Sequence, residues 1–219
     1  MSKVLILDFG SQYTQLIARK TRELGVYSEI FPFDTPLSRI KKEACAALIL
    51  SGGPRSVYEK DAPLPDRRIF DLGIPVLGIC YGLQLMAHLL GGEVVSSARR
   101  EYGFARLKVF DRKGLLKGVA DQTQVWMSHG DRVEKIPPEF IVTGKTVNSK
   151  ASAIESRGRR LFGVQFHPEV IHTREGSRIL SNFLFLLAGL TPEWSMKSFC
   201  ERKVREIRDL VGQEKVICG

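Results

Sequence analysis

The sequence predicts an α/β fold with a mostly parallel central sheet, helices on both faces and a mixed or antiparallel section. Three observations lead there. Strand and helix signals alternate from Val4 to Leu90, the pattern of βαβ units with right-handed crossovers. The strand candidates in that stretch are near-continuous apolar runs, as expected of strands covered on both faces. From Gly92 to Ser156 the apolar runs are short and separated by turns, which suits antiparallel pairing.

Taken in order, residues 4–9 are an apolar run stopped by Gly10 and read as a buried strand. Residues 13–24 place Leu16, Ile17 and Leu24 near helical spacing, with Gly25 as the stop. A second strand is predicted over 27–33, and a third over 46–50 that enters the loop Ser51-Gly52-Gly53-Pro54. A short helix over 66–72, a strand over 74–79 and a helix over 83–90 follow. Short strands are predicted at 105–110, 125–127, 140–143 and 161–166, then an apolar helix over 177–188. After Gly189, Thr191-Pro192 punctuates the chain, and 196–211 read as a charged amphipathic helix with a narrow stripe of Phe199, Ile207, Leu210 and Val211. Residues 214–219 turn apolar and strand-like.

Composition narrows the class. Hydrophobic residues make up 43% and charged residues 26% of the 219, an ordinary balance for a soluble globular protein. No apolar run approaches the roughly 20 residues that cross a bilayer, and the start lacks a signal-peptide layout, so a cytoplasmic protein without a membrane partner is expected. The net charge is +9, but its bases are dispersed and carry no nucleic-acid-binding signature, so no nucleic acid is expected as a partner. Cysteines 45, 80, 200 and 218 form no CxxC pair, so neither a zinc site nor a disulfide framework is indicated. No metal site is expected.

Only Cys80 sits where chemistry is expected. Gly78-Ile79-Cys80-Tyr81-Gly82 follows an apolar strand and precedes a helix, the thiol counterpart of the G-x-S-x-G nucleophile elbow. The sharp turn needs small neighbours, and the helix N-terminus favours the reactive thiolate. A thiolate needs a proton shuttle, and the shuttle needs an orienting group. Of the four histidines, His88 lies inside a helix and reads as structural, and His172 lies too far along the chain. His167, in Phe166-His167-Pro168-Glu169, is held extended by the following proline. His167 and Glu169 can then project together, with Glu169 accepting from one ring nitrogen and the other facing Cys80. An oxyanion hole would come from the amides of Tyr81, after the nucleophile, and Gly53, in the loop at another strand end.

The segments Ser51-Gly52-Gly53-Pro54, Gly78-Ile79-Cys80-Tyr81-Gly82 and Phe166-His167-Pro168-Glu169, in this order and spacing, resemble the class I glutamine amidotransferases. The resemblance implies a flavodoxin-like sheet and a Cys80, His167, Glu169 triad that releases ammonia from glutamine through a thioester. It narrows to the branch whose ammonia converts XMP to GMP. Residues 6–15, Glu101-Tyr102-Gly103, Trp126-Met127-Ser128-His129-Gly130-Asp131, and Val170 with His172-Thr173 are similar to that branch, and the likeness covers essentially the whole chain. By this resemblance Gln84, Ser128, His129, Gly130 and Asp131 hold the glutamine, and His129 is a pocket residue rather than a second base. It also implies an ATP pyrophosphatase domain that binds XMP and uses ATP and Mg2+, with no cofactor in the glutaminase itself, and a full-length enzyme that can be a homodimer. The chain has no Ser-Gly-Gly-Val-Asp-Ser phosphate loop and stops where the strand before it would stand. Residues 1–190 are therefore expected to be the amidotransferase domain, and 191–219 a linker with the truncated start of the next. An ammonia supply for another synthase, or a non-catalytic regulatory domain of the same fold, are the competing readings.

Overall fold

The computed structural model describes residues 2–217, except for the side chains of 98–100. Nine strands form one sheet. They are β1 (Lys3–Asp8), β2 (Tyr27–Pro32), β3 (Ala47–Leu50), β4 (Val76–Ile79), β5 (Glu93–Val109), β6 (Thr123–Lys135), β7 (Ile141–Lys145), β8 (Ala153–Ser156) and β9 (Leu161–Val164). Their spatial order is β2-β1-β3-β4-β9-β8-β7-β5-β6. The first five run parallel and the rest pair antiparallel. The helices are α1 (Thr14–Glu23), α2 (Leu37–Lys42), α3 (Tyr81–Leu89), α4 (Gly176–Ser181) and α5 (Met196–Val211), with a 3-10 helix at Arg67–Asp71 and a π-helix, Asn182–Leu187, continuing α4.

The inner parallel strands β3 and β4 are apolar throughout because each face meets its own core. Along β1, Val4 and Ile6 face one way and Leu5 and Leu7 the other, as the two-residue period of a strand requires. The first core joins Ile49, Leu77 and Val164 to Ile17 of α1 and to Ile179, Leu180, Phe183 and Leu184 of α4 and its π-helical continuation. The second joins Leu48, Leu50 and Val76 to Leu83, Leu85 and Met86 of α3 and to Ile40, Ile69 and Phe70. Loops that carry a site collect at the carboxyl ends of these strands.

Several elements differ from the sequence expectations. The middle section is built of two long strands, β5 and β6, rather than short ones; along β6 buried and half-buried residues alternate for eleven positions from Thr123 to Val133. Strand β8 and helix α2 were not expected, and the 66–72 helix is a 3-10 turn capped by Asp66 Oδ1, which accepts from the Arg68 amide at 2.9 Å. Helix α5 does bear the capping signal of its type: Ser195 and Ser198 bond each other's backbone amides. Its start is anchored through Phe199, stacked on Tyr27 at 5.5 Å, and none of its residues is buried. Residues 214–217 form no strand; Cys218 and Gly219 lie outside the described residues.

The tightest packing is where α3 leaves β4. A Cβ on Gly82 would collide with the Leu50 carbonyl oxygen, and one on Gly78 would stand 2.5 Å from the Gly82 carbonyl carbon. Both atoms are backbone and cannot step aside. Gly82→Ala should lower unfolding stability by about 3 kcal/mol in denaturant titration. Gly158→Ala, whose Cβ would meet nothing within 4 Å, should change it by less than about 0.5 kcal/mol.

Candidate active site

Cys80 is the single residue between the end of β4 and the start of α3. Its backbone sits at φ 52° and ψ −106°, a strained region for a non-glycine residue that persists only when the surroundings over-determine it. Here they do. The Cys80 N–H donates to the Val164 carbonyl of β9 at 2.8 Å, and the Gly82 N–H to the Ser51 carbonyl beyond β3 at 3.1 Å. The Cys80 carbonyl accepts from the Leu83 and Gln84 amides at 3.0 and 3.2 Å. Helix α3 thus begins directly at Tyr81, two residues earlier than its apolar spacing predicts.

His167 lies just past β9, the strand beside β4. Its N–H donates to the Trp126 carbonyl of β6 at 3.0 Å, and its carbonyl accepts from the Thr173 hydroxyl at 2.6 Å. The Nδ1 atom stands 2.7 Å from Glu169 Oε1, with both side chains buried. Nδ1–H donating to the carboxylate leaves Nε2 free for a proton from elsewhere. Burial works against a charged ring here, but the Glu169 carboxylate and the hydrogen bond to Cys80 outweigh it, and His167 titrates well above 6.5. A ring so placed is a stronger base than free histidine. The edge of Tyr13 closes its far side, with ring centroids 4.9 Å apart.

Cys80 and His167 open into one cavity of about 580 Å3, which Gly53, Gln84 and residues 128–131 also line. That is a common size for a small-molecule site. Cys80 Sγ lies 3.6 Å from the Ser128 carbonyl oxygen. Gln84 is buried and donates from Nε2 to the Asp131 carbonyl at 3.2 Å, which ties α3 to β6. The Asp131 carboxylate accepts from the Tyr58 hydroxyl at 2.8 Å. His129 Nε2 lies 3.3 Å from Glu101 Oε2 of the neighbouring strand. Burial raises the Glu101 carboxyl, but His129 and the Thr146 hydroxyl outweigh it and hold it below the usual range. Gly53 approaches so closely that a Cβ there would stand 2.8 Å from the Phe9 carbonyl oxygen. The amides of Gly53 and Tyr81 have no hydrogen-bond partner among the described residues.

The two histidines set aside in the sequence, His88 and His172, do not line the cavity. His88 is exposed on α3, and His172 packs on Trp126 with centroids 4.6 Å apart. The wall formed by 10–13 and the contributions of Arg55, Tyr58 and Tyr102 are absent from the residues singled out by chemistry alone. The signal for the first was there: Gly10 ends an apolar strand at the β1/β3 switch in strand order, where open sheets bind ligands. Among the described residues no three His, Cys, Asp or Glu side chains are grouped to hold a metal ion, and no helix is long and apolar enough to cross a membrane.

An elbow cysteine and a carboxylate-braced histidine thus meet in one cavity at the carboxyl edge of a parallel sheet. Residues 5–187 match the family model for glutamine amidotransferase class I. The chain belongs to that family. Over its whole length it is 52% identical to the glutamine-hydrolysing GMP synthase of Carboxydothermus hydrogenoformans and 52% to that of Chlorobium limicola. It spans only 43% and 44% of the lengths of these relatives. Among solved structures, a Thermoplasma acidophilum protein provisionally named as one chain of a GMP synthase superposes with a TM-score of 0.80, at 29% identity, covering 94% of this chain and 98% of that one. A glutamine amidotransferase of Thermotoga maritima shares the fold with a TM-score of 0.63.

Glu169→Gln removes the charge that most raises His167. The His167 ring should then titrate at lower pH in an NMR titration. A raised histidine pKa contributes stability that is fully present below its unfolded value of 6.5 and is lost as pH rises through the folded value. The stability gap between the natural protein and Glu169→Gln should therefore be widest just below pH 6.5 and narrow above it.

Proposed function

We propose that this chain is the glutaminase part of a glutamine-hydrolysing GMP synthase. In this reading Cys80 attacks the side-chain amide of glutamine as its thiol proton passes to His167 Nε2. The sulfur electron pair forms a C–S bond, and the carbonyl π pair moves to oxygen, where the Gly53 and Tyr81 amides donate. Collapse expels the amide nitrogen, which takes the proton from His167 and leaves as ammonia. Water then adds to the thioester carbon, giving its proton to His167. The C–S bond breaks, glutamate leaves, and the sulfur recovers its proton from His167. Glu169 holds the ring in the required tautomer and stabilises its charged form.

Gln84, Ser128, His129, Gly130 and Asp131 would hold the amino-acid end of glutamine, since all line the cavity that contains the sulfur. Residues 1–190 would form the glutaminase domain, and 191–219 would lead to an ATP pyrophosphatase domain. That domain would bind XMP, use ATP and Mg2+, and take up the ammonia. The enzyme would act in the cytoplasm and can assemble as a homodimer. One observation carries the proposal: Cys80 and the Glu169-braced His167 converge in a single cavity of a chain 52% identical throughout to GMP synthases.

The test is glutamate release from glutamine by the purified chain, alone and with added synthetase domain, XMP and ATP-Mg. Release that appears or rises with the synthetase and disappears in Cys80→Ser is expected. Glu169→Gln should slow release less than loss of Cys80, because Glu169 orients rather than attacks. Unchanged turnover in a folded Cys80→Ser variant would contradict the assignment.

A further inference from the structure

Gln165 lies directly after β9, two residues before His167, and is fully buried. Its backbone N–H donates to the Ser152 carbonyl at 2.9 Å, extending the β8–β9 pairing. Its side chain reaches the nucleophile: Nε2 stands 3.8 Å from Cys80 Sγ. At the other end of the same carboxamide, Oε1 has no hydrogen-bond partner among the described residues. A buried carbonyl without a donor opposes folding. Methionine, of similar length and without that penalty, would fill the same space. Packing therefore does not account for an amide here, and the N–H at the sulfur does.

The sulfur's other neighbours show what such a donor adds. The Ser128 carbonyl can only accept, so it suits the thiol and turns lone pairs toward the sulfur once the proton has gone. His167 takes that proton and gives it back, so its donation to sulfur changes through the cycle. The Gln165 N–H is neutral and present at every stage. Hydrogen bonds to an ionised acceptor are stronger than those to a neutral one, so this donor favours the states in which sulfur carries negative charge. The opposite orientation of the carboxamide would set its carbonyl against the sulfur lone pairs.

We infer that Gln165 is a further catalytic residue, whose side-chain N–H donates to Cys80 Sγ when the thiol proton passes to His167 and again when the thioester C–S bond breaks. No bond to Gln165 forms or breaks, and its proton stays on nitrogen. The inference rests on Cys80 being the nucleophile, which Cys80→Ser tests separately. An inactive Cys80→Ser beside a fully active Gln165 variant would overturn only the role of Gln165.

The experiment compares Gln165→Met with the natural chain in three measurements. These are the rate of Cys80 alkylation by iodoacetamide at fixed pH, kcat and KM for glutamate release in the presence of the synthetase domain, and the thermal midpoint. Alkylation and kcat should each fall about tenfold, KM should stay within about twofold, and the midpoint should hold or rise. Gln165→Asn keeps the carboxamide but draws it back from the sulfur, and should show the same loss. Natural alkylation and turnover in Gln165→Met would overturn the inference. So would losses that only track a lowered midpoint, or failure of both variants to fold, since each of these marks a structural residue.

Discussion

The one-residue turn from β4 into α3 is the constraint on which the rest depends. Cys80 holds a backbone conformation that its side chain disfavours, and three strands share in holding it there. The Val164 carbonyl of β9 takes its N–H, and the Ser51 carbonyl beyond β3 takes the Gly82 N–H. Leu50 leaves no room for anything but glycine where the helix passes. Strain at a reactive residue survives only where the scaffold is this closely fitted. The same fit sets Cys80 and, one turn into α3, Gln84 in the cavity wall.

The strands on the two sides of β4 complete the site in different ways. On the β3 side the chain contributes backbone, in the loop around Gly52 and Gly53. On the β9 side it contributes side chains, with His167 braced by Glu169. The far edge of the sheet then folds back: among the described residues β6 pairs only with β5, yet Trp126 receives the His167 amide and residues 128–131 form a cavity wall. Parallel strands position Cys80 and His167, and the antiparallel ribbon supplies a facing wall of the cavity. Gln84 joins the two parts by reaching from α3 to the Asp131 carbonyl.

Much of this was legible in the residues. The apolar runs of β1, β3 and β4 and the glycine-flanked cysteine have direct physical readings, and so does a histidine two residues from a carboxylate. What stayed hidden has physical reasons as well. The strand β6 alternates strictly, but three of its inward positions are His129, Asp131 and Thr123, so its polar composition masks its period. Helix α2 is six residues long and buries only Ile40, too little for a helical signature. Cavity residues such as Tyr58 and Arg55 lie on irregular backbone, where no periodicity marks them. Gln165 is a polar residue at the end of an apolar strand, and only its neighbour across the sheet reveals its use.

In the proposed reaction the elbow presents Cys80 as the group that attacks glutamine. The most direct test of that role is covalent capture with a glutamine analogue bearing a diazoketone in place of the side-chain amide, followed by peptide mass mapping. One adduct is expected, on Cys80 and suppressed by excess glutamine, with Cys45 and Cys200 unlabelled. Comparable labelling of Cys45 or Cys200, or labelling of Cys80 that glutamine does not suppress, would contradict it.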